Sequence, residues 1–372
     1  MSVARKLAGI KPTATSQSPP KPQGPVWKGP EVDGVTQSLL SRFLVCRERF
    51  RLLVVEGLRP VDSFNARLEF GQMWHVCEEA LASSSDWRPA LLAYCKAGLA
   101  TRYPMDREKI DHWYNICKAL FPLYVDHWSK NPDVKERTPL FQEQVFDVPY
   151  ALPSGRKVRL RGKWDSVDLI GSGKTAGIYL QENKTKSSID ANKLTRQLSF
   201  DLQTMIYSVA LIEGQSLKSL GDRGRLNFRG VRYNVIRRSA HKSVESMLKK
   251  IEDDRADGRI GEWFGRWKVE VSEADVLKFR RQCLDPILEQ LCDWWEHCDY
   301  CRKNGYGMFD PTWVRKGRNE SEDRKFQAAH YRHPFGVYNV LDEGGSSDLD
   351  AYLESGSEVG LERTTRMFSE LE

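Results

Sequence analysis

The sequence predicts an α/β fold in which helices flank a central mixed β-sheet. Apolar residues recur with helical spacing over residues 36–130, 190–214 and 273–301. Between the first two stretches, residues 140–184 instead alternate in the manner of β-strands, interrupted by a Pro-Ser-Gly turn and a Gly-rich turn. A further strand is predicted over residues 224–238. Helical segments on both sides of a strand-rich centre indicate the α/β class.

Composition divides the chain into three parts. Residues 1–30 contain six prolines and no acidic residue, which predicts a flexible, basic, Pro-rich arm. Residues 31–340 form the predicted domain, which includes an aromatic-rich helical insertion over about residues 84–138. From Leu341 to the end, nine acidic residues stand against two arginines. This net charge of −7 predicts a disordered acidic tail.

The charge outside the tail favours a polyanionic partner. The whole chain of 372 residues carries +6, so the tail leaves +13 for everything before it. A solvated basic surface would explain the same charge. No apolar run approaches the roughly 18 residues needed to cross a bilayer, and the N-terminal segment lacks the apolar stretch of a secretory signal. The sequence therefore predicts a cytoplasmic protein without membrane contact.

Residues 161–184 carry the side chains that suggest chemistry. They predict two strands joined by a Gly/Ser turn, with Asp165 near the start and Glu182 and Lys184 near the end. Because strand side chains alternate, Glu182 and Lys184 lie on one face and Asn183 on the other. Pairing across the turn brings Asp165 to the same side as Glu182. Two carboxylates beside an amine can hold a hard divalent cation and activate its bound water, which predicts a nuclease.

Two other interpretations of this hairpin are weaker. Asp168 lies three residues after Asp165, so it is expected to face the opposite side and ranks second as the catalytic acid. Gly173-Lys174-Thr175 matches the end of a P-loop. That motif requires a glycine where Asp168 stands and a helix where a strand is predicted, so a turn is sufficient explanation.

Two predicted helices add candidate polar residues. In the helix before the insertion, Gly71 and His75 lie one turn apart, so a residue without a side chain precedes an imidazole that can bind a metal. In the helix after the hairpin, Gln203 and Tyr207 are also one turn apart and can reach a base or a phosphate. Taken singly, a structural histidine and ordinary polar residues on a helix surface are the better interpretation.

Arginines cluster in the strand predicted over residues 224–238. Arg232, Arg237 and Arg238 carry the fixed positive charge that suits DNA phosphates, so we expect them to line a DNA path. The charged residues 239–258 that follow are expected to form a mobile helix and loop.

Four motifs, taken in sequence order, resemble the RecB-like branch of the PD-(D/E)XK nuclease superfamily. They are Gly71-x-x-x-His75, Gly162-x-x-Asp165, Glu182-x-Lys184 and Gln203-x-x-x-Tyr207. That branch includes CRISPR-associated adaptation exonucleases and many phage-borne proteins. The resemblance covers about residues 36–238 and implies a restriction-endonuclease-like core.

The resemblance implies a role for each residue of the metal site. His75, Asp165 and Glu182 would ligate Mg²⁺ or Mn²⁺, with the backbone carbonyl of Asn183 as a further ligand. Lys184 would orient or activate the attacking water.

The resemblance also implies the substrate. Gln203 and Tyr207 would place the DNA strand, and Gly71 would let it come close. Family members imply an exonuclease on DNA ends or single strands, active in recombination, repair or phage DNA metabolism. The alternative from a different class is a non-catalytic DNA-binding accessory of recombination or replication that keeps the fold. The intact pair of Glu182 and Lys184 argues against it, since a retired site usually loses its lysine or an acid.

The eight cysteines raise the question of a second cofactor. In a cytoplasmic chain they are expected to be thiols or metal ligands rather than disulfides. Some members of this branch hold a 4Fe-4S cluster, and Cys46 with Cys292, Cys298 and Cys301 has the matching distribution. However, the family spacing is C-x2-C-x5-C, and here the two intervals are reversed. Buried or surface thiols are therefore the preferred interpretation.

Overall fold

A computed structural model describes residues 25–303 and 361–371 of the chain. Its gaps are positions 46, 61–63, 84, 130, 174–175, 199–200, 215–227, 365–366 and 369–370. Most of the predicted arm and tail, with Lys174 and Thr175 of the Gly-rich turn, therefore lies outside the described residues.

The described elements alternate between helical and extended segments. The helices are α1 (Gln37–Val45), α2 (Arg47–Phe50), α3 (Ala66–Ala82), α4 (Trp87–Ala93), α5 (Ala100–Arg102), α6 (Arg107–Ser129), α7 (Pro132–Lys135), α8 (Ala191–Leu198), α9 (Leu202–Glu213), α10 (Val244–Ala256), α11 (Glu273–Phe279) and α12 (Asp285–Lys303). The strands are β1 (Leu58–Pro60), β2 (Arg137–Ala151), β3 (Lys157–Ile170), β4 (Gly177–Lys186), β5 (Phe228–Arg237), β6 (Phe264–Glu270) and β7 (Leu361–Arg363). Turns of π-helix occur at Arg51–Val55, Tyr94–Leu99 and Arg280–Leu284, and a 3-10 turn at Ile260–Glu262.

Strands β2 to β6 form one mixed sheet of five strands in the order β2-β3-β4-β5-β6. The pair β4 and β5 is parallel, and the other neighbouring pairs are antiparallel. The turn between β2 and β3 contains Gly155 with a φ of 86°, a left-handed value that glycine adopts readily. The predicted central mixed sheet is confirmed. A strand, β4, follows the Gly-rich turn, in place of the helix that a P-loop requires.

Helices pack on both faces of this sheet. Alternate residues of β5 show the arrangement, because Val231, Tyr233 and Val235 lie in one hydrophobic core and Ile236 in a second. The first core takes buried residues from α1, α9, α11 and α12, and the second from α3, α4, α6 and α10. Helices α4 to α7 lie within the predicted insertion. Among the described helices, none combines the length and apolar composition that crossing a membrane requires.

The prediction of one helix over residues 190–214 is wrong. The chain forms α8 and α9, and Asp201 caps the second by accepting a hydrogen bond from the Thr204 backbone N–H at 3.3 Å. A capping aspartate starts a new helix. The helical spacing of apolar residues continues across this break, which is why periodicity alone did not reveal it.

The segment after β5 is also more regular than its charge suggests. Within residues 239–258, predicted as mobile, α10 buries Met247 and Ile251 in the second core. Strand β6, which the sequence analysis missed, follows it and pairs with β5 along seven residue pairs.

Both predicted terminal segments contribute to the fold where they are described. Trp27 is fully buried and donates a hydrogen bond from Nε1 to the Gly34 carbonyl at 3.0 Å. At the other end, β7 pairs with β1, and Phe368 is buried. The described residues of both segments therefore pack against the rest of the fold. The domain boundaries at residues 30 and 341 stay predictions.

A buried ion network lies on the face of the sheet that carries the second core. Asp168 Oδ2 accepts from Arg232 Nη2 at 2.9 Å and from Arg137 Nε at 2.7 Å, and Ser166 donates to Asp168 Oδ1 at 2.6 Å. Arg232 is only 1% exposed. The prediction that Arg232 lines a DNA path is therefore wrong, because a buried guanidinium cannot reach a phosphate. Asp168 forms ion pairs with these arginines, as expected for a side chain that does not face the side of the sheet that carries Asp165.

We expect Arg232→Met to lower the free energy of unfolding by about 3 kcal/mol or more, since it leaves Asp168 buried with one cationic partner fewer. Urea denaturation measures this change. The matched control is Arg229→Met, which replaces an exposed arginine of the same strand and should cost within about 0.5 kcal/mol. Equal losses in the two variants would contradict the buried-pair interpretation.

Candidate active site

The candidate site lies where β3 and β4 stop pairing. The last pair in register toward the site is Ser166 with Gln181, so Asp165 and Glu182 are the next residues along the two strands. There the backbone N–H of Asn183 donates to Asp165 Oδ2 at 2.8 Å in place of a strand partner. The two carboxylates thus come together on adjacent strands, as the hairpin prediction required.

Glu182 is held by Lys184 of the same strand and by Gln203 of α9. Lys184 Nζ lies 3.0 Å from Glu182 Oε2 and donates to Gln203 Oε1 at 2.7 Å. Gln203 Nε2 in turn donates to Glu182 Oε2 at 3.1 Å. These contacts form a closed triangle, so Gln203 of α9 fixes both the acid and the ammonium group.

His75 reaches the same site from α3. Its Nδ1 lies 3.6 Å from Asp165 Oδ1 and 3.2 Å from Glu143 Oε1. Gly71, one turn earlier, faces β4, and a Cβ built on it would meet the Thr185 hydroxyl at 3.6 Å, an ordinary contact distance. An imidazole from a helix and carboxylates from strands therefore converge.

Glu143 is the residue of this site that the sequence analysis missed. It lies on β2 between Gln142 and Gln144, which pair with Ser166 and Trp164 of β3, so Asp165 is its counterpart in register. Its φ is 46°, a left-handed value that a non-glycine residue seldom adopts in a strand. A signal was present, because Glu143 interrupts the apolar alternation of Phe141 and Val145.

Burial and neighbouring charges set the protonation of the site. Burial acts to lower the pKa of His75, but the charges of Asp165 and Glu143 outweigh it and raise that pKa to about 9. Burial raises the pKa of Asp165 and of Glu182. The charge of Lys184 acts in the opposite direction on Glu182. His75 is therefore protonated at neutral pH, and burial favours the protonated forms of Asp165 and Glu182.

The donor atoms suit a hard divalent cation. His75, Glu143 and Asp165 each offer one ligand atom, and these atoms lie within 4.8 Å of one another. Glu182 adds a buried carboxylate whose partners are Lys184 and Gln203. Carboxylate oxygens with one imidazole nitrogen are ligands for Mg²⁺ or Mn²⁺. A cation would favour the ionised form of Asp165 and Glu182, whose pKa values are raised first by burial and then by neighbouring carboxylates.

Comparison with known families agrees with this geometry. The profile of the PD-(D/E)XK nuclease superfamily matches residues 35–304, well over half of the chain. The chain belongs to this superfamily. A comparison with curated proteins found no match. Membership makes the chain a nuclease by family, and the mixed sheet flanked by helices is consistent with the superfamily's restriction-endonuclease-like core.

Tyr207, the second candidate on α9, lies beside the nuclease site. Its ring meets Phe146 edge-to-face at 5.2 Å. Burial raises its pKa, and the charges of Glu182 and Asp165 raise it further. A Cβ on Gly162 would come within 3.0 Å of the Tyr207 ring and closer still to Phe146. The glycine of the second motif therefore leaves room for these aromatic rings.

Arg237 is the last residue of β5, and Arg238 follows it. The Arg237 guanidinium lies 4.9 Å over the Trp263 ring and 3.9 Å from Glu262. Burial lowers the pKa of Arg238. The contact of Arg237 and Arg238 with DNA stays a prediction.

The cysteine prediction lies partly outside the described residues, which exclude Cys46 and the side chain of Cys301. Cys292 and Cys298 are buried in the first core on α12. Burial raises the pKa of Cys292 to about 12, which favours a protonated thiol over a metal ligand.

We expect Mn²⁺ affinity to rise with pH between about 6.5 and 9. His75, with its pKa raised to about 9, is protonated across this window and must lose that proton to bind a cation. For each proton released on binding, the Mn²⁺ affinity should rise about tenfold per pH unit. Isothermal titration in two buffers of different ionisation enthalpy counts the protons.

His75→Gln is the control for this titration. It should release fewer protons on Mn²⁺ binding than the unmodified chain. An affinity that does not change with pH in the unmodified chain would contradict the assignment of His75 to the cation site.

Proposed function

We propose that this nuclease is a Mg²⁺- or Mn²⁺-dependent DNA exonuclease that hydrolyses phosphodiester bonds at DNA ends or in single strands. The observation that supports hydrolysis best is the convergence of His75, Asp165 and Glu182 beside the Lys184 ammonium group. Preference for DNA, for ends and for a role in recombination or repair rests on the motif order that resembles the RecB-like branch.

The residues divide the chemistry between them. We assign cation binding to His75, Asp165 and Glu182, with the Asn183 carbonyl as a further ligand. When bound, Mg²⁺ or Mn²⁺ offsets the charge that develops on the phosphate and makes water a better nucleophile near neutral pH. Lys184 lies close enough to Glu182 to hold the attacking water by a hydrogen bond.

The reaction needs no covalent intermediate with the chain. The oxygen of water bonds to phosphorus, the bond from phosphorus to a sugar oxygen breaks, and the proton lost by the water ends on that oxygen. Gln203 keeps Lys184 and Glu182 in place during this exchange, because it bonds to both. Positioning of this kind contributes directly to rate.

The DNA strand is proposed to pass over α3 and α9. A Cβ at Gly71 would contact only the Thr185 hydroxyl, so we propose that the glycine leaves room for a DNA backbone close to the site. Tyr207 offers an aromatic ring and a hydroxyl. The net charge of +13 before residue 341 supplies attraction that does not depend on sequence.

We expect Asp165→Asn, Glu182→Gln and Lys184→Met each to reduce cleavage by about 100-fold or more, because each removes a group that acts on the cation or the water. End-labelled single- and double-stranded DNA, incubated with Mg²⁺, Mn²⁺ or EDTA, measures the loss. DNA binding should persist, since phosphate contacts supply most of the affinity. The matched controls are the exposed Glu270→Gln and Lys157→Gln, which should cleave normally. If the unmodified chain binds DNA but releases no metal-dependent product, it is the non-catalytic accessory instead.

We expect Gly71→Leu to weaken DNA binding while keeping or raising the melting temperature. Leucine favours a helix over glycine by up to about 1 kcal/mol, but its side chain fills the space proposed for the strand. Gly71→Ala, which adds only a Cβ at ordinary contact distance, should change binding much less. Fluorescence anisotropy and thermal unfolding measure the two effects. Unchanged DNA affinity in Gly71→Leu would rule out this path.

A further inference from the structure

We infer that Glu143 is an additional ligand of the catalytic cation and that Lys163 is the counter-ion it gives up when the cation binds. This inference rests on the proposed function, whose metal site it completes from a third strand. Glu143 lies outside the four motifs, and Lys163 fills an unspecified position of Gly162-x-x-Asp165.

The position of Glu143 suits a ligand. Its Oε1 lies 3.2 Å from His75 Nδ1, and its ligand atom belongs to the group with His75 and Asp165 that spans no more than 4.8 Å. Two of these three residues are the ligands already assigned to the cation. A cation placed between them would therefore lie within reach of Glu143 as well.

The backbone of Glu143 is held in an unfavourable conformation. A φ of 46° is strained for a residue with a side chain, and such residues persist where the surrounding structure imposes them. In this conformation the Glu143 carboxylate contacts both His75 and Lys163. A glycine would relieve the strain but would remove this carboxylate.

Lys163 forms an ion pair with the other carboxylate oxygen of Glu143. Its Nζ lies 2.7 Å from Glu143 Oε2, and its side chain is 39% exposed, whereas that of Glu143 is 6% exposed. The lysine is thus the solvent-facing member of the pair. It can leave the carboxylate for solvent or a DNA phosphate at little cost in burial.

The charges at the site favour replacement of Lys163 by the cation as the partner of Glu143. Glu143, Asp165 and Glu182 place three carboxylates at the site, and Lys163 is the partner with most access to solvent. A divalent cation brings two positive charges to the same oxygens, so it competes with the Lys163 ammonium for Glu143. Removing the lysine should then help the cation, whereas removing the carboxylate should hinder it.

A purely structural ion pair predicts a different pattern. If Glu143 only tied β2 to Lys163 and His75, loss of either partner of the pair would weaken the fold and change cation binding in the same sense. Opposite effects of Glu143 and Lys163 variants on cation affinity distinguish the two roles.

The test is a titration of the metal-free full-length chain with Mn²⁺, followed by calorimetry and by the electron paramagnetic resonance signal of free Mn²⁺. We expect Glu143→Gln to weaken Mn²⁺ binding by roughly 10–100-fold, the range typical of lost groups around metal sites. Lys163→Gln should strengthen it severalfold. Glu270→Gln and Lys157→Gln are the matched exposed controls and should bind Mn²⁺ as the unmodified chain does.

Glu143→Gly separates the carboxylate from the strain. It should keep or raise the melting temperature of the metal-free chain, since glycine accepts a positive φ, and should bind Mn²⁺ as weakly as Glu143→Gln. The inference is overturned if both Glu143 variants bind Mn²⁺ normally, or if Lys163→Gln binds it more weakly than the unmodified chain. Cleavage of DNA by the unmodified chain is scored separately, so failure of the proposed nuclease activity remains distinguishable from failure of this ligand assignment.

Discussion

Burial of like charges is the constraint on which the site depends. Glu143, Asp165 and Glu182 bring three carboxylates to the junction of β2, β3 and β4, where each is largely removed from water. Desolvation and mutual repulsion disfavour ionisation, which is why the pKa values of Asp165 and Glu182 rise. The nearby ammonium and imidazole groups offset only part of this cost at Asp165 and Glu182, whereas at Glu143 burial is outweighed by His75 and Lys163, which lower its pKa. A cation offsets more, so its binding and the stability of the folded chain are coupled.

The surrounding fold keeps these carboxylates from moving apart. The Asn183 N–H holds Asp165 where the β3 and β4 ladder ends, and Gln203 holds Glu182 from α9. Helix α9 is itself positioned by its cap at Asp201 and by its buried residues in the first core. On the opposite face, the network of Asp168 and Arg232 ties β3 to β5 behind the site. The site therefore rests on elements fixed from both sides of the sheet.

Local patterns in the sequence revealed the elements whose geometry is local. Strand alternation placed Glu182 and Lys184 on one face, and helical spacing gave the helix that carries His75. What the sequence did not reveal depends on pairing between distant segments. Glu143 joins the site only through the register of β2 against β3 and an unusual φ, and Arg232 is buried only because Asp168 lies two strands away. The sequence near Glu143 shows only a break in the apolar alternation of Phe141 and Val145. Neither the pairing of Glu143 with β3 nor that of Arg232 with Asp168 can be predicted from neighbouring residues.

The protonation of Lys184 limits how it can act. Burial would lower its pKa, but the carboxylates of Glu182, Asp201 and Asp165 outweigh that effect and raise it. Lys184 is therefore an ammonium ion at neutral pH and has no lone pair with which to accept a proton from water. Its contribution has to be that of a donor and a fixed positive charge, which orients the nucleophile and stabilises the phosphate's developing charge. Lys184 Nζ donates to Gln203 Oε1 at 2.7 Å and to Glu182 Oε2 at 3.0 Å. Within the described part of the chain these contacts use two of its three N–H groups, and the third can point at the reacting groups.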